Sequence, residues 1–213
     1  MREMEKTSER SSAGELDDEN ADVDPIRQFQ HWFDEADSAG LPMVEAMTLA
    51  TASPEGRPSA RMVLLKSVDE SGFVFYTNYR SRKAQELEAN PMAALVFHWE
   101  PLERQVRIEG RVSRISEAES DQYFQTRPRE SQIGAIASPQ SEVIQSREAL
   151  EERFRKLEDD YRDKPIERPS HWGGYRLEPD RIEFWKGRPG RLHDRLNYER
   201  EPNGTWVRSR LAP

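Results

Sequence analysis

A β-rich domain with packed helices, built as an antiparallel meander or barrel, is the fold class that the sequence predicts. From Met47 onward, short apolar runs are separated by turn signals such as Ser53-Pro54-Glu55-Gly56 and Asp69-Glu70-Ser71-Gly72. Residues 104–115 alternate cleanly, with Val106, Ile108 and Val112 on one face and Gln105, Arg107, Glu109 and Arg111 on the other. Asn203-Gly204 is a hairpin signal ahead of a last strand-like run, TWVRSRLAP. A chain of 213 residues can bury one sizeable core without a disulfide or metal staple.

Composition narrows the classes of function. Hydrophobic residues at 35% and charged ones at 34% suit a soluble, cytoplasmic protein, with no apolar run long enough to cross a bilayer and no signal-peptide core in MREMEKTSER. The absence of cysteine excludes thiolate catalysis, disulfides and zinc-thiolate sites. The histidines at 31, 98, 171 and 193 are too scattered to read as a metal cluster. The net charge of -8 comes mostly from residues 1–24, which hold nine acids and three cations. Residues 1–23 therefore read as a disordered acidic tail, and 24–213 as one domain close to neutral. That balance does not suit nucleic acid, so local Arg and Lys clusters point to small anions.

Taken in order, Asp24-Pro25 starts a helix, with Asp as N-cap and Pro at the first helical position. Ile26, Phe29, Phe33 and Ala36 form its apolar stripe, and Gly40-Leu41-Pro42 ends it. The strand MTLATA follows, then RMVLLK at 61–66, where Val63, Leu64 and Leu65 read as a buried strand between Arg61 and Lys66. Five residues apart on an ideal strand, these two cations point to opposite faces and suit two different anions. After FVFYT, a short helix capped by Ser81 and stopped by Asn90-Pro91 carries Arg82 and Lys83 in its first turn, where the helix dipole favours acids; an anion bound there would explain them.

The strands AALVFHW and RQVRIEGRVSRI come next, and Gln105 reads either as a polar residue on a solvated strand face, the commoner case, or as an amide offered to a ligand's carbonyl and imide edge. A capping box, Ser116 to Glu119, opens a helix bearing Tyr123 and Phe124. RPRESQIGA places Arg127, Arg129 and Ser131 close together as another anion site. A helix from Ser146 to Tyr161 is expected to bury Leu150, Phe154 and Leu157. HWGGYRLEPDRIEFW reads as two strands around the turn Glu178-Pro179-Asp180. In RLHDR, an extended chain would project Arg191, His193 and Arg195 from one face, beside an anionic cofactor or substrate.

No GxGxxG, Walker loop or GxSxG elbow is present. RMVLLK, FYTN at 75–78, SRKA at 81–84, LERQV at 102–106, YFQTRPRESQIGA at 123–135, SPQS at 138–141, and IEFW followed by RLHDR resemble, in this order, the pyridoxamine/pyridoxine 5'-phosphate oxidase family. The resemblance spans Asp24 to Pro213 and implies a homodimeric split β-barrel with FMN at the interface. The implied FMN contacts are Arg61, Met62, Val63, Leu64, Leu65, Lys66, Tyr76, Thr77, Arg82, Lys83, Gln105, Gln140, Ser141, Trp185 and Arg195. The implied substrate contacts are Lys66, Tyr123, Arg127, Ser131, Arg191, Leu192 and His193, with Arg191 and His193 at the reacting end. The implied reaction is oxidation of pyridoxamine or pyridoxine 5'-phosphate to pyridoxal 5'-phosphate, with oxygen reduced to hydrogen peroxide and ammonia released from the amine. Alternatives are a sister split-barrel flavin oxidase of the phenazine-biosynthesis type and a non-catalytic module that binds flavin or pyridoxal phosphate.

Overall fold

A computed structural model describes residues 16–213. Most of the expected acidic tail, residues 1–15, lies outside the described residues. The strands are β1 (Ala46–Ala52), β2 (Pro58–Leu64), β3 (Ser67–Asp69), β4 (Gly72–Asn78), β5 (Met92–Trp99), β6 (Arg104–Arg114), β7 (Trp172–Lys186), β8 (Asp194–Arg200) and β9 (Trp206–Arg210). They form one sheet in the order β2-β1-β5-β6-β7-β4-β3, every described pairing is antiparallel, and β8 and β9 branch from β7. The two ends of that order meet at Leu65-Lys66. The Leu65 amide donates to Glu45 on the β1 side and the Lys66 amide to Val74 on β4, which curls the sheet into a half-barrel.

Helix α1 (Pro25–Ser38) fills this curl, and the Asp24 side chain caps it through the Ile26 amide. Its Phe29 ring lies 4.9 Å from both Phe73 and Phe97, and Trp32 meets Phe184 edge-on at 5.3 Å. Burial of these rings removes a large apolar area from water. Helix α2 (Arg82–Ala89) follows β4. The others, α3 (Glu117–Thr126), α4 (Arg129–Ala137) and α5 (Arg147–Tyr161), build a second small core of Phe124, Ile133, Ile166 and Trp172. The Ser116/Glu119 capping box forms as expected. No helix among the described residues is long and apolar enough to cross a membrane.

Several expectations need correction. Helix α5 buries none of its residues fully; Phe154 and Leu157 only lean on the second core. Residues 172–186 form one strand, not two: register slips between Glu109 and Gly110, so that Gly110 faces Pro179 and Glu109 faces Arg181. A bulge absorbs Asp180 and tolerates the proline without a turn. Strand β2 is an edge strand and stops at Leu64, so the facing argument for Arg61 and Lys66 does not apply: Lys66 sits in the turn that joins the sheet ends. Residues 16–23, expected in the tail, pack on β8 and β9. There Leu16 is buried, Arg208 donates to the Ala21 and Asp18 carbonyls, and Tyr198 donates to Asp22 O at 2.7 Å.

Candidate active site

The expected site residues fall into two groups, at opposite ends of β7. The first surrounds the start of α2. Arg61 reaches from β2 to Leu49 O (3.1 Å), Thr51 Oγ1 (2.7 Å) and Glu86 Oε2 (3.2 Å), and Arg82 Nε donates to Glu86 Oε1 at 2.9 Å. Burial would raise the Glu86 carboxyl, but donors from Ser59, Thr51 and Arg82, with the Arg82 charge, hold it down at about 2. Lys83 Nζ donates to Thr77 Oγ1 (3.1 Å) and Gln140 Oε1 (2.8 Å). Burial, then the charge of Arg61, pushes its ammonium below the ordinary lysine value. Ser81, the N-cap of α2, makes no side-chain cap bond, and its buried Oγ has no partner. A cation destabilised by a neighbouring cation, beside open helix amides and an orphaned hydroxyl, fits a phosphate.

Next to it lies a cavity of about 280 Å3 whose lining includes Asn78, Arg127, Ser131, Gln140 and Trp172. Arg127 Nη1 is buried without a partner, and burial lowers this guanidinium's pKa from its ordinary value despite the opposing influence of Tyr123. Tyr76 and Tyr123 stack at 3.9 Å, and burial raises the Tyr76 hydroxyl to about 12, so both phenols stay protonated. Arg129 does not join Arg127 and Ser131. It donates to the carbonyls of Tyr161, Arg162 and Lys164, where a cation satisfies the end of α5. Lys66 is exposed and lines another cavity, against Gln30, Phe33 and Asp34 of α1. Ser141 is exposed at positive φ beside Gln140. In RMVLLK, Met62 of β2 points outward and Leu65, just past the strand, is buried.

The second group is a cross-strand row on the sheet face turned away from the core. His98, Gln105, Trp185 and Arg195 are successive register partners on β5, β6, β7 and β8. Buried Glu183 grips Arg195 through two bonds, Nε at 2.9 Å and Nη2 at 3.1 Å, and also accepts from Arg107 at 3.3 Å. The Trp185 and His193 rings lie 4.6 Å apart. His193 Nδ1 accepts from the Arg188 amide at 3.1 Å, which places the proton of the neutral ring on Nε2. Arg191, His193 and Arg195 do not share one extended strand, contrary to expectation. Pro189–Arg191 is a helical turn, Arg191 has φ +63°, and β8 begins only at Asp194; Arg191 and Leu192 are exposed. Glu86, Glu183 and Trp172 were missed by sequence reasoning, because no local signal marks which cation a carboxylate or indole will meet.

A half-barrel with a phosphate-like cradle at one end of its longest strand, and an amide, indole and guanidinium in a row at the other, is the arrangement that the resemblance implies for a split-barrel flavoprotein. The comparisons narrow that class. Residues 33–159 match the family model described as pyridoxamine 5'-phosphate oxidase, and residues 172–213 match the pyridoxine 5'-phosphate oxidase C-terminal dimerisation region. A pyridoxine/pyridoxamine 5'-phosphate oxidase of Rubrobacter xylanophilus is 62% identical, covering 93% of this chain and 91% of the relative. Its counterpart in Salinibacter ruber is 54% identical over the full length of both. Among solved structures, PhzG from Burkholderia lata 383, in complex with tetrahydrophenazine-1-carboxylic acid, superposes with a TM-score of 0.87 at 34% identity, covering 92% of this chain and 95% of that one. The chain belongs to the pyridoxamine 5'-phosphate oxidase family. Membership makes it an oxidoreductase and brings the family's FMN cofactor and dimerisation region.

Proposed function

We propose that the protein oxidises pyridoxamine 5'-phosphate and pyridoxine 5'-phosphate to pyridoxal 5'-phosphate, with oxygen as the final acceptor, at a site shared by two chains. The observation that carries this reading is the partnerless, buried Nη1 of Arg127 in a cavity shared with Ser131 and adjoining Tyr123. A buried cationic donor without an acceptor is costly unless a ligand anion completes it, and a 5'-phosphate does so. FMN, when bound, supplies the redox chemistry by accepting a hydride from the exocyclic carbon.

The protein's own residues bind and orient. Arg61, Lys83 and the start of α2 hold the cofactor phosphate, while Arg127, Ser131 and Tyr123 hold the substrate phosphate, joined by exposed Lys66. Gln105, Trp185 and Arg195 meet the flavin ring, and Arg191 and His193 position the substrate's reacting end through the His193 Nε2–H. Along β7, Gly173 faces Thr77 and Trp185 faces Gln105. Twelve residues of strand separate them, roughly 40 Å, too far for one mononucleotide to bridge. Each complete site therefore takes its phosphate end from one chain and its row from the other. Exposed Met62 and Met43 lie on the outer surface beside His98, and Trp185 and Arg195 of the row fall within the dimerisation region.

The test is oxygen uptake by the flavin-loaded protein. Uptake with pyridoxamine 5'-phosphate and far less with unphosphorylated pyridoxamine is the expected result; equal rates would overturn the phosphate-site reading. The similarity to PhzG supports a second reading, oxidation of a carboxylated tricyclic substrate, which predicts turnover of such a compound and none of the phosphorylated vitamin.

A further inference from the structure

We propose that Trp172 is a positioning residue that sets the affinity of the 5'-phosphate site by holding the Arg127 guanidinium over its indole; this rests on the reading of the Arg127 cavity as the substrate phosphate site. Arg127 Cζ stands 4.5 Å from the Trp172 ring centroid and 5.7 Å from that of Phe124. No described carboxylate pairs with Arg127, and on its protein side the half-buried guanidinium meets aromatic faces before a ligand arrives. The indole is 6% exposed and lines the same cavity as Arg127, whose buried Nη1 has no partner. It also belongs to the aromatic stack: Tyr76 lies 5.3 Å away at 13° and Tyr123 6.2 Å away at 7°. One side chain thus touches the surroundings of both Arg127 and Tyr123.

The backbone gives this indole little freedom. Trp172 N donates to Pro169 O at 2.9 Å, its carbonyl accepts from Arg168 Nη1 at 2.7 Å, and Arg168 is ion-paired to Asp121 of α3. The next residue, Gly173, is closely packed: a Cβ there would stand 2.1 Å from Tyr79 Oη. Arg127 itself follows α3 as its C-cap, in extended conformation. A guanidinium on such a segment has several rotamers open to it. The fixed indole selects the one that aims Nη1 inward, so binding a phosphate orders less.

The experiment compares Trp172→Leu and Trp172→Phe with the unaltered holoenzyme, using pyridoxamine 5'-phosphate, pyridoxamine, and inorganic phosphate as a competitive inhibitor. Trp172→Leu should raise the KM for the phosphorylated amine and the phosphate inhibition constant in parallel, by about tenfold. Its kcat, flavin spectrum and KM for pyridoxamine should be preserved, and Trp172→Phe should retain part of the affinity. Added to Arg127→Ala, Trp172→Phe should change the KM no further. An unchanged KM, an equal loss on both amines, or additive effects in the double variant would overturn the inference. If Trp172→Leu does not fold, Trp172→Phe and the double variant decide. Failure of the underlying reading looks different: the unaltered enzyme would not prefer the phosphorylated amine, and Arg127→Ala would leave its KM unchanged.

Discussion

Gly110 faces Pro179 across β6 and β7, and a Cβ at position 110 would stand 2.0 Å from the Glu178 carbonyl oxygen. The close approach is what lets the longest strand run through a proline without breaking. Gly110→Ala is therefore expected to cost about 2–4 kcal/mol, measured by urea unfolding, with the loss traced to backbone displacement and not to altered propensity.

Glu86 gathers Arg61, Arg82, Thr51 and Ser59 on one buried carboxylate. Although burial opposes them, these donors and the Arg82 charge hold the folded carboxyl down at about 2, below the ordinary glutamate value of 4.5. Its bonds therefore stabilise the fold fully above pH 4.5 and lose that contribution as pH falls toward 2. Glu86→Gln should lower the stability of the apoprotein by about 2 kcal/mol at pH 7 and flatten its acid limb between those values. Parallel melts at pH 7 and pH 3 check both effects.

Arg61 and Lys83 stand at the proposed FMN phosphate. Replacing either with alanine should weaken FMN binding by about 10- to 100-fold, with riboflavin, which lacks the phosphate, bound as before. Fluorescence titration of the apoprotein with the two flavins separates a lost phosphate contact from general damage.

His193 is held through Nδ1, with Nε2 left as a donor. His193→Asn should lower kcat by about 100-fold or more while the flavin spectrum stays intact. Near-normal turnover would remove His193 from the reacting end.

The two halves of the proposed site lie at opposite ends of β7, so inactive variants should complement one another. Co-refolding Lys83→Ala with His193→Asn places one doubly altered and one intact site in each mixed dimer, and should restore roughly a quarter of full activity at equal amounts. No recovery would mean that each chain completes its own site.

Much of the fold is written locally. Asp24-Pro25, the Ser116/Glu119 capping box and the alternation of β6 act over a few residues, so their sequence signatures carry directly into structure. Pro179 misled for an equally local reason: Glu-Pro-Asp resembles a turn, and only pairing with distant Gly110 converts it into a bulge. The same holds for RLHDR, where alternation presumes a strand that the positive φ of Arg191 interrupts.

By itself, the sequence determined that the chain is a cysteine-free, helix-decorated β domain with several anion-seeking cation clusters, and the ordered motifs carried the family. The tertiary structure decided which partner each cation meets and which is left without one. Arg129 is spent on the end of α5, Arg195 is held in the cross-strand row by Glu183, and Arg127 lies over Trp172 with its Nη1 unpartnered. Those partners are separated in sequence and meet only through sheet register and curl. Electrostatic and cation–π contacts act over a few ångströms of space, and short-range sequence patterns do not encode that distance.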